Sequence, residues 1–581
     1  MESTFNEQLQ KGAFFLEQDR FEDSILEYTL ALKNAIDNKH KLDLNMVLGR
    51  LYQKTNKPEK AVKSFEASLK LYDSLTPEKE SGEKAALHNN LAAAYMSLDI
   101  EAAISHYKSA LSQYNTLASS AQEGLLAHIA NTHFALAEAF LQKASFTPAK
   151  IHFKEAIKGH EKLPELKMIK ARAHYQLGLI YTEEFNLYDA KIQYTKALGI
   201  YEKEEGFGQP DNKPIVAALH NNLAVTFKSL EEHQKAIASY KKTLELYEEL
   251  SKSQATVFLP YVAATHSSLA IVFAEIQLME KAIDETGKAL AIYNDLADSY
   301  PDDYTHYLAT SLHNLGLFYF ELKEVDKAEH FFTEALSLRK KIAVQFPESF
   351  DADVCASALN LVELYQHLLE NKIDISYKEK SLSLLEDVKK RLNTLDDKRL
   401  VIKNMKSDCT YYQEYFNTIN LEELSLQRAK KNVRVLQEEI NGTLSPREKL
   451  TYQEQIVSLL KIQFEQYPDN KDLRQLLAYA NNDLGWLYLR LQEPDKALIQ
   501  IRQGESIDGR ISSLKCNRAH AYLLQGHLKK AEVLYRELIA THQAISENYS
   551  EIISKDLEKL KADGIENSLI IRIKNRIPLL R

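Results

Sequence analysis

The sequence predicts an all-α protein, a solenoid of about ten or more stacked helix-turn-helix hairpins with a C-terminal capping helix. Its 581 residues include only 17 Gly and 13 Pro, a scarcity that favours helices over sandwiches, barrels and long loops. The stretch ALHNNLAAAY, which begins at Ala86, returns as ALHNNLAVTF from Ala218 and more loosely as SLHNLGLFYF from Ser311. A long chain that repeats itself in this way is typical of stacked structural repeats.

Each repeat carries small and aromatic residues in the same order. The clearest unit contains, in sequence, Leu315, Gly316, Tyr319, Ala328, Phe332 and Ala335. Four such units start 46 residues apart, at the column leucines Leu177, Leu223, Leu269 and Leu315. Earlier units match at Leu136, Leu91, Leu48 and Gly12, and later ones at Gly485 and, 34 residues further on, Ala519.

These columns have the chemistry of two helices packed face to face. Gly or Ala beside the column leucine, and Ala again after the turn, lets two helix backbones approach closely, while the aromatic residues fill the gap to the next hairpin. The turns are short and polar, as in LQEPDKA from Leu491 to Ala497, where Pro494 suits the first turn of the following helix.

This pattern resembles the tetratricopeptide repeat family from about Phe5 to Thr541, and the 34-residue step equals that family's standard period. The 46-residue units are similar to the extended repeats of kinesin light chains and of related bacterial proteins. The resemblance implies a right-handed superhelix whose first helices line a concave groove. It also implies a non-catalytic protein that binds a peptide or protein segment there and needs no cofactor.

Three regions are expected along the chain. Residues 1–370 form an N-terminal array of extended repeats, 41 to 46 residues long. In residues 371–470 the small-residue columns cannot be placed, so this region is predicted to hold degenerate helical repeats or a helical spacer. Residues 471–581 contain a C-terminal repeat pair and a capping helix, which we expect to end at Asp563-Gly564 before a short apolar and basic tail.

A column of histidines stands three residues before the column leucine in five consecutive units: His88, His133, His174, His220 and His266. Equivalent residues on stacked helices lie about 8–10 Å apart, whereas ligands that share one zinc lie about 2 Å from it. The column therefore does not converge on one metal. We expect neutral imidazoles buried between the two helices of each hairpin, with contact to a partner as the alternative.

Three further columns are expected on the groove side of the first helices. The amides Asn90, Gln176, Asn222 and Asn314 come first, followed by the aliphatic residues Leu179, Val225, Ile271 and Leu317 and the acids Glu183, Glu275 and Glu321. Similar asparagines bond the peptide backbone in kinesin light chains and chaperone adaptors. The aliphatic and acidic columns suit a segment with apolar and basic residues. Alternatively, the amides only brace neighbouring helices and the acids form a solvated face.

Several functional classes are excluded at this level. The net charge of −9 and the absence of a dense Lys/Arg block argue against nucleic acid. No signal peptide and no long uninterrupted apolar run is visible, so we expect a cytoplasmic protein without membrane contact. Cys355, Cys409 and Cys516 are scattered and odd in number, which predicts neither disulfides nor a metal site. Nucleotide-binding, metalloprotease and hydrolase motifs are absent, so no enzyme is expected.

The chain is therefore predicted to be a cytoplasmic scaffold or adaptor that holds a protein segment in its groove. Two alternatives stay open. The groove could bind a signalling peptide or small ligand in a sensor, or the chain could be the recognition subunit of an enzyme or of a bacterial defence complex. The identity of the partner and the oligomeric state do not follow from the sequence.

Overall fold

The computed structural model describes residues 2–76, 81–118, 125–161, 167–203, 212–372, 375–396, 398–442, 445–542 and 548–580. Within these ranges the secondary structure is helical and contains no strand. The chain forms two compact units, residues 1–322 and 323–581. The predicted boundaries near 370 and 470 stay a prediction, since both fall inside the second unit.

Unit 1 consists of α1 (Glu2–Glu17), α2 (Phe21–Asn34), α3 (Asn38–Lys54), α4 (Pro58–Leu75), α5 (Gly82–Tyr95), α6 (Ile100–Ala118), α7 (Leu125–Gln142), α8 (Phe146–Glu161), α9 (Lys167–Glu183), α10 (Leu187–Tyr201), α11 (Lys213–Ser229), α12 (His233–Ser251), α13 (Ala255–Glu275), α14 (Met279–Ser299) and α15 (Pro301–Glu321). From α1 to α15, each helix packs against the next. The first helices of successive hairpins also touch from α3 to α9, α3 with α5, α5 with α7 and α7 with α9, so these four helices form a continuous layer.

Unit 2 consists of α16 (Val325–Gln345), α17 (Pro347–Lys372), α18 (Ile375–Leu392), α19 (Leu400–Thr418), α20 (Leu421–Gly442), α21 (Pro446–Gln466), α22 (Lys471–Arg490), α23 (Pro494–Ile507), α24 (Ser512–Leu524), α25 (Leu528–His542), α26 (Tyr549–Ala562) and α27 (Asn567–Arg576), followed by a short 3₁₀ turn (Pro578–Leu580). The apolar and basic tail predicted after Gly564 contains a further helix, α27, in which Ile570 and Ile573 are buried.

The glycine column marks the closest approach within a hairpin, as the sequence predicts. A Cβ placed on Gly178 of α9 would lie 2.5 Å from the Tyr194 ring of α10. The same construction on Gly485 of α22 reaches Ile501 of α23 at 2.7 Å. Contacts this short are not found for real Cβ atoms, so only glycine fits at these two positions without movement of the neighbour.

The turns within the hairpins share one conformation. Two residues before the second helix begins, the backbone is left-handed in eight hairpins within the two units, at Asp19, Asn56, Ala144, Phe185, Glu231, Gln277, Gln492 and Gly526, and it is also left-handed at Lys323, between α15 and α16. The N–H of the next residue then donates to the carbonyl of the aromatic residue four positions after the column leucine, which we call the column aromatic. Asn186 donates to Tyr181 in this way at 2.8 Å. This is the bond that closes a Schellman motif, although only Gly526 among the eight turn residues is the glycine that such a position favours.

A lysine also covers the column aromatic from the start of the second helix. The Lys235 Nζ lies 5.6 Å from the Phe227 ring centroid, and Lys496 lies at the same distance from Tyr488. Equivalent contacts join Lys60 to Tyr52, Lys281 to Phe273 and Lys530 to Tyr522. These cation–π contacts tie the two helices of a hairpin together beside the turn.

The region where the repeat pattern fades is helical and packed in the same sequential manner, from α17 to α19 and from α20 to α22. Its small buried residues are mainly Ser381, Cys409 and Ser425 instead of Gly and Ala. The helices still approach closely there, but a search for glycine and alanine columns cannot detect them.

Among the described residues one helix, α13, is long and apolar enough by length and composition to cross a membrane, with a mean hydropathy of 1.6. Half of that segment is buried, and α13 packs between α12 and α14 like the first helix of any other hairpin. Its His266 is bonded to Glu285 of α14. These contacts are those of a core helix in a repeat stack.

The C-terminal cap is tied back to an earlier hairpin. Asp563, at the end of α26, accepts two bonds from the Arg490 guanidinium of α22, at 2.7 and 3.1 Å. Its carbonyl accepts a third from Gln492 at 3.0 Å. Gly564 follows with a φ of +99°, which lets the chain turn into α27.

Candidate functional site

The predicted groove residues of unit 1 lie in repeated stripes on its first helices. On α13 the stripe runs through Tyr261, Ala264, Ser268, Ile271 and Glu275, and on α15 through Tyr307, Thr310, Asn314, Leu317 and Glu321. Spacings of three and four residues place each set on one side of its helix. We call these stripes, together with the matching positions of α9 and α11, the first-helix face.

The amides at the centre of this face are half-buried. The Asn222 Nδ2 donates to the Tyr175 hydroxyl of the preceding repeat at 3.4 Å, so this amide braces a neighbouring helix. The backbone carbonyl of Asn90 in α5 accepts a bond from Gln53 of α3 at 3.2 Å. Gln176 and Asn314 occupy equivalent half-buried positions on α9 and α15.

The aliphatic residues next along the stripe differ in exposure. Val225 and Ile271 are exposed to solvent. Leu179 and Leu317 are partly buried and pack against the main hydrophobic cluster of unit 1. The column thus offers two exposed apolar side chains between two that are partly engaged.

The acidic column ends the stripes. Glu183, Glu275 and Glu321 are exposed, and each is the last residue of its helix. A negative charge at a helix C-terminus meets the negative end of the macrodipole, which costs about 0.3–1 kcal/mol. The charge of Glu275 is partly offset by Lys228 at 3.8 Å, and the His233 Nδ1 lies 3.6 Å from the same carboxylate, both from the preceding repeat. These glutamates therefore do not serve to stabilise their own helices.

Two tyrosines at the opposite end of the stripes were missed at the sequence level. Tyr261 is 52 % exposed and Tyr307 is 45 % exposed. Each stacks on a tyrosine of the helix before it, with 5.2 Å between ring centroids, on Tyr247 and Tyr293 respectively. Their separation of 46 residues in the sequence was the signal that could have found them.

Each histidine of the column lies between the two helices of its hairpin. Where its ring has a hydrogen-bond partner, that partner is the residue 18 or 19 positions later in the sequence, on the second helix. His88 Nδ1 faces His106 Nδ1 at 3.0 Å, and His133 faces His152 in the same way at 2.9 Å. Burial, followed by the neighbouring imidazole, lowers the pKa of both His88 and His133 to about 4. These two rings are neutral at physiological pH, as expected, although half-buried rather than buried.

The other three histidines of the column have different surroundings. His174 Nδ1 lies 2.7 Å from the Gln193 Oε1. His266 Nδ1 lies 2.6 Å from the Glu285 carboxylate. Burial, followed by the charge of Lys242, lowers the pKa of His220, whose Nε2 is buried without a hydrogen-bond partner.

Unit 2 contains a second concavity, a polar cavity of about 860 Å³ between α22, α24 and α26. Asp483 and Asn517 line it. Asn517 donates to the Asn482 Oδ1 at 2.9 Å. The enclosing walls raise the pKa of Asp483 to about 6, although its side chain is open to the solvent in the cavity. Cys516 and Asp556 lie in the same wall.

Three tetratricopeptide-repeat family models match the chain, at residues 42–74, 169–249 and 308–347. The chain contains tetratricopeptide repeats. The three matches fall on units whose columns the sequence shows, and the 308–347 match covers one unit of the 46-residue series. No curated protein sequence matches the chain.

Solved structures similar to this tetratricopeptide-repeat chain include BtubC (BKLC) from P. vanneervenii, at 21 % identity over 42 % of this chain and 92 % of that one, with a TM-score of 0.32. The apo form of RapI matches at 16 % identity over 66 % and 98 %, with a TM-score of 0.43. The MamA protein matches at 19 % identity over 36 % and 97 %, with a TM-score of 0.28. Repeats of this family are in general modules for protein interaction.

Proposed function

We propose that this chain is a cytoplasmic, non-catalytic adaptor that holds a peptide or protein segment across the first-helix face of unit 1. The observation that carries the proposal is the repetition of the stripe at the same 46-residue step on α9, α11, α13 and α15, at exposed or half-buried positions, with Ser229 replacing the acid on α11 and Ser268 replacing the amide on α13. Packing within the hairpins does not require exposed Tyr261, Val225 or Ile271. A surface that meets one extended segment at successive helices does require such a repeat.

The stripes also define the chemistry of the segment. Adjacent packed helices lie about 8–10 Å apart, so an extended segment would advance roughly three residues from one helix to the next at about 3.3 Å per residue. Its backbone would lie over the amides Gln176, Asn222 and Asn314. Tyrosine rings border one side of that path and glutamates border the other, which favours a segment with apolar side chains along one edge and Lys or Arg along the other.

The amides can be tested with a peptide selected by display on the full-length chain. We expect the combined change Asn222→Ala and Asn314→Ala to weaken binding of that peptide by about 1–3 kcal/mol, measured by fluorescence anisotropy, if both amides bond its backbone. Because Asn222 also donates to Tyr175, the variant Tyr175→Phe is the matched control. It removes the internal bond alone and should leave affinity unchanged.

The acidic border is tested by charge. The pair Glu183→Gln and Glu321→Gln should weaken binding and reduce its dependence on salt, because exposed charges are screened within about 10 Å at 0.1 M salt. Glu245→Gln with Glu280→Gln removes the same charge from second helices, where no effect is expected. If the control pair weakens binding and the first pair does not, the segment docks on the second helices and the proposal is wrong.

A further inference from the structure

Three metal-ligating side chains meet beside the polar cavity of unit 2, two of them in its wall, and neither the repeat pattern nor the proposed function uses them. Cys516 and His520 lie one turn apart on α24, and Asp556 reaches them from α26. The spacing Cys-x3-His places both α24 side chains on one side of the helix. One potential ligand atom from each residue lies within 4.8 Å of the other two.

The two separations that involve the histidine are close to the edge lengths of a zinc coordination tetrahedron. The His520 Nε2 lies 3.4 Å from the Cys516 Sγ and 3.7 Å from the Asp556 Oδ2. Bonds of about 2.3 Å from zinc to sulfur and about 2.0–2.2 Å to nitrogen and oxygen, at tetrahedral angles, give ligand separations of about 3.3–3.6 Å. A cation among the three atoms would therefore need only small side-chain adjustments.

We propose that Cys516, His520 and Asp556 form a site for one divalent cation of the zinc class, with the fourth coordination position open toward the cavity. Thiolate, imidazole and carboxylate are together a ligand set that suits Zn²⁺ and discriminates against Mg²⁺ and Ca²⁺, which prefer oxygen. When the sulfur–zinc bond forms, the Cys516 thiol gives its proton to the solvent.

The surroundings orient the histidine for this role. The ring of His520 is 0 % exposed, and its Nδ1 lies 2.6 Å from the hydroxyl of the fully buried Tyr535 on α25. That bond fixes the ring with Nε2 directed at Cys516 and Asp556, in the manner of the outer partners of metal-bound histidines. The Asp556 Oδ1 accepts from Lys559 at 3.4 Å, which leaves Oδ2 facing the histidine.

The cluster is also reachable from solvent, as a metal site must be. Cys516 and Asp556 line the cavity of about 860 Å³, while His520, which is fully buried, does not reach its surface. In the absence of a cation, burial and the nearby Asp556 raise the pKa of the Cys516 thiol far above its usual value. A bound cation would reverse that preference, since it stabilises the thiolate directly.

The test uses the full-length chain with its purification tag removed and its metals stripped by a chelator. Titration with Zn²⁺ should give about one bound ion per chain, and Co²⁺ in its place should produce a thiolate-to-cobalt charge-transfer band. Cys516→Ser should abolish the band, and the nearly isosteric Asp556→Asn should weaken Zn²⁺ binding at least tenfold. Tyr535→Phe, which acts through His520, should weaken it about 10- to 100-fold. Cys409→Ser, at a buried cysteine of α19, is the control and should change nothing.

Zinc bound with unchanged affinity by both Cys516→Ser and Asp556→Asn would overturn the proposal and place the ion elsewhere, for example at the histidine pairs of unit 1. A Co²⁺ complex without a charge-transfer band would overturn it too, since no thiolate would then be a ligand. If Cys516→Ser does not fold, as judged by circular dichroism, Asp556→Asn decides alone. Because the site lies in unit 2, this outcome is independent of peptide binding to the first-helix face.

Discussion

Acid should destabilise the hairpins α5/α6 and α7/α8 through their histidine pairs. The folded-state pKa of His88 and His133 is about 4, below the ordinary value of about 6.5 that holds in the unfolded chain. The unfolded chain therefore binds more protons between these two values. The contribution of these two histidines to the free energy of unfolding is complete above pH 7. It begins to fall as the pH drops through 6.5 and is lost in full below pH 4.

The size of the loss follows from the same values. For one group with these two pKa values, lowering the pH from 7 to 5 removes about 2 kcal/mol from the free energy of unfolding. His88 and His133 are only half-buried, so solvent screening reduces this to about 1 kcal/mol each. The two hairpins together should lose about 2 kcal/mol, which corresponds to a roughly 30-fold increase in the population of their open forms.

Hydrogen exchange with mass spectrometry can measure this locally, which is preferable because long repeat arrays depart from two-state unfolding. Peptides from α5 to α8 should show the loss after correction for intrinsic exchange rates. The double change His106→Gln and His152→Gln builds the His–Gln pair that α9 and α10 already contain, and it should reduce the loss only in part, because burial is a larger cause of the low pKa values than the neighbouring imidazole. Equal protection at pH 7 and pH 5 in the unmodified chain would refute the reasoning. His330→Gln, at an exposed position of α16, controls for the loss of an imidazole.

Two backbone predictions can be checked by the same exchange measurement. Gly178→Ala should destabilise its hairpin by about 1–3 kcal/mol, because the new Cβ would lie 2.5 Å from the Tyr194 ring. Gly287→Ala, in the middle of α14 with nothing within 4 Å of its new Cβ, should instead stabilise by about 1 kcal/mol, and equal effects of the two changes would contradict the packing argument. Phe185 is 89 % exposed and has a φ of 56°. Phe185→Gly should stabilise its hairpin by about 1 kcal/mol and Phe185→Ala by little, since only glycine adopts the left-handed backbone without strain.

The hairpins and the small-residue contacts were predictable because they depend on periodicity. Gly178 and Gly485 are each fixed by the spacing to one partner position on the next helix, which is a local relation that the sequence displays. The exposed tyrosines Tyr261 and Tyr307 follow the same 46-residue repeat. They were not predicted to lie on the surface because the aromatic residues of the pattern were assigned to the core. The left-handed turns were not predictable, since residues as different as Phe185 and Gln277 occupy them.

The side-chain networks were beyond reach for a different reason. The partners of the histidine column sit 18 or 19 residues downstream on the second helix, at a position that varies between His, Gln and Glu and so forms no column of its own. Asp556 belongs to the cap, whose path back over α24 depends on how α26 packs rather than on any repeat. Sequence patterns report what recurs, and these contacts occur once or change from unit to unit.

The bonds between Arg490 and Asp563 change how the C-terminal end can open. In a simple stack each repeat depends on its neighbours alone, so the outermost helix can peel away without disturbing the rest. Here Arg490 and Asp563, which are 73 residues apart in the chain, are joined, so the helices between them lie in a loop of chain that these bonds close. The cap cannot leave while Arg490 holds it, and α22 cannot loosen without releasing the cap. We therefore expect the last hairpins to open together as one cooperative unit, because separation of the cap alone would first have to break the bonds between Arg490 and Asp563.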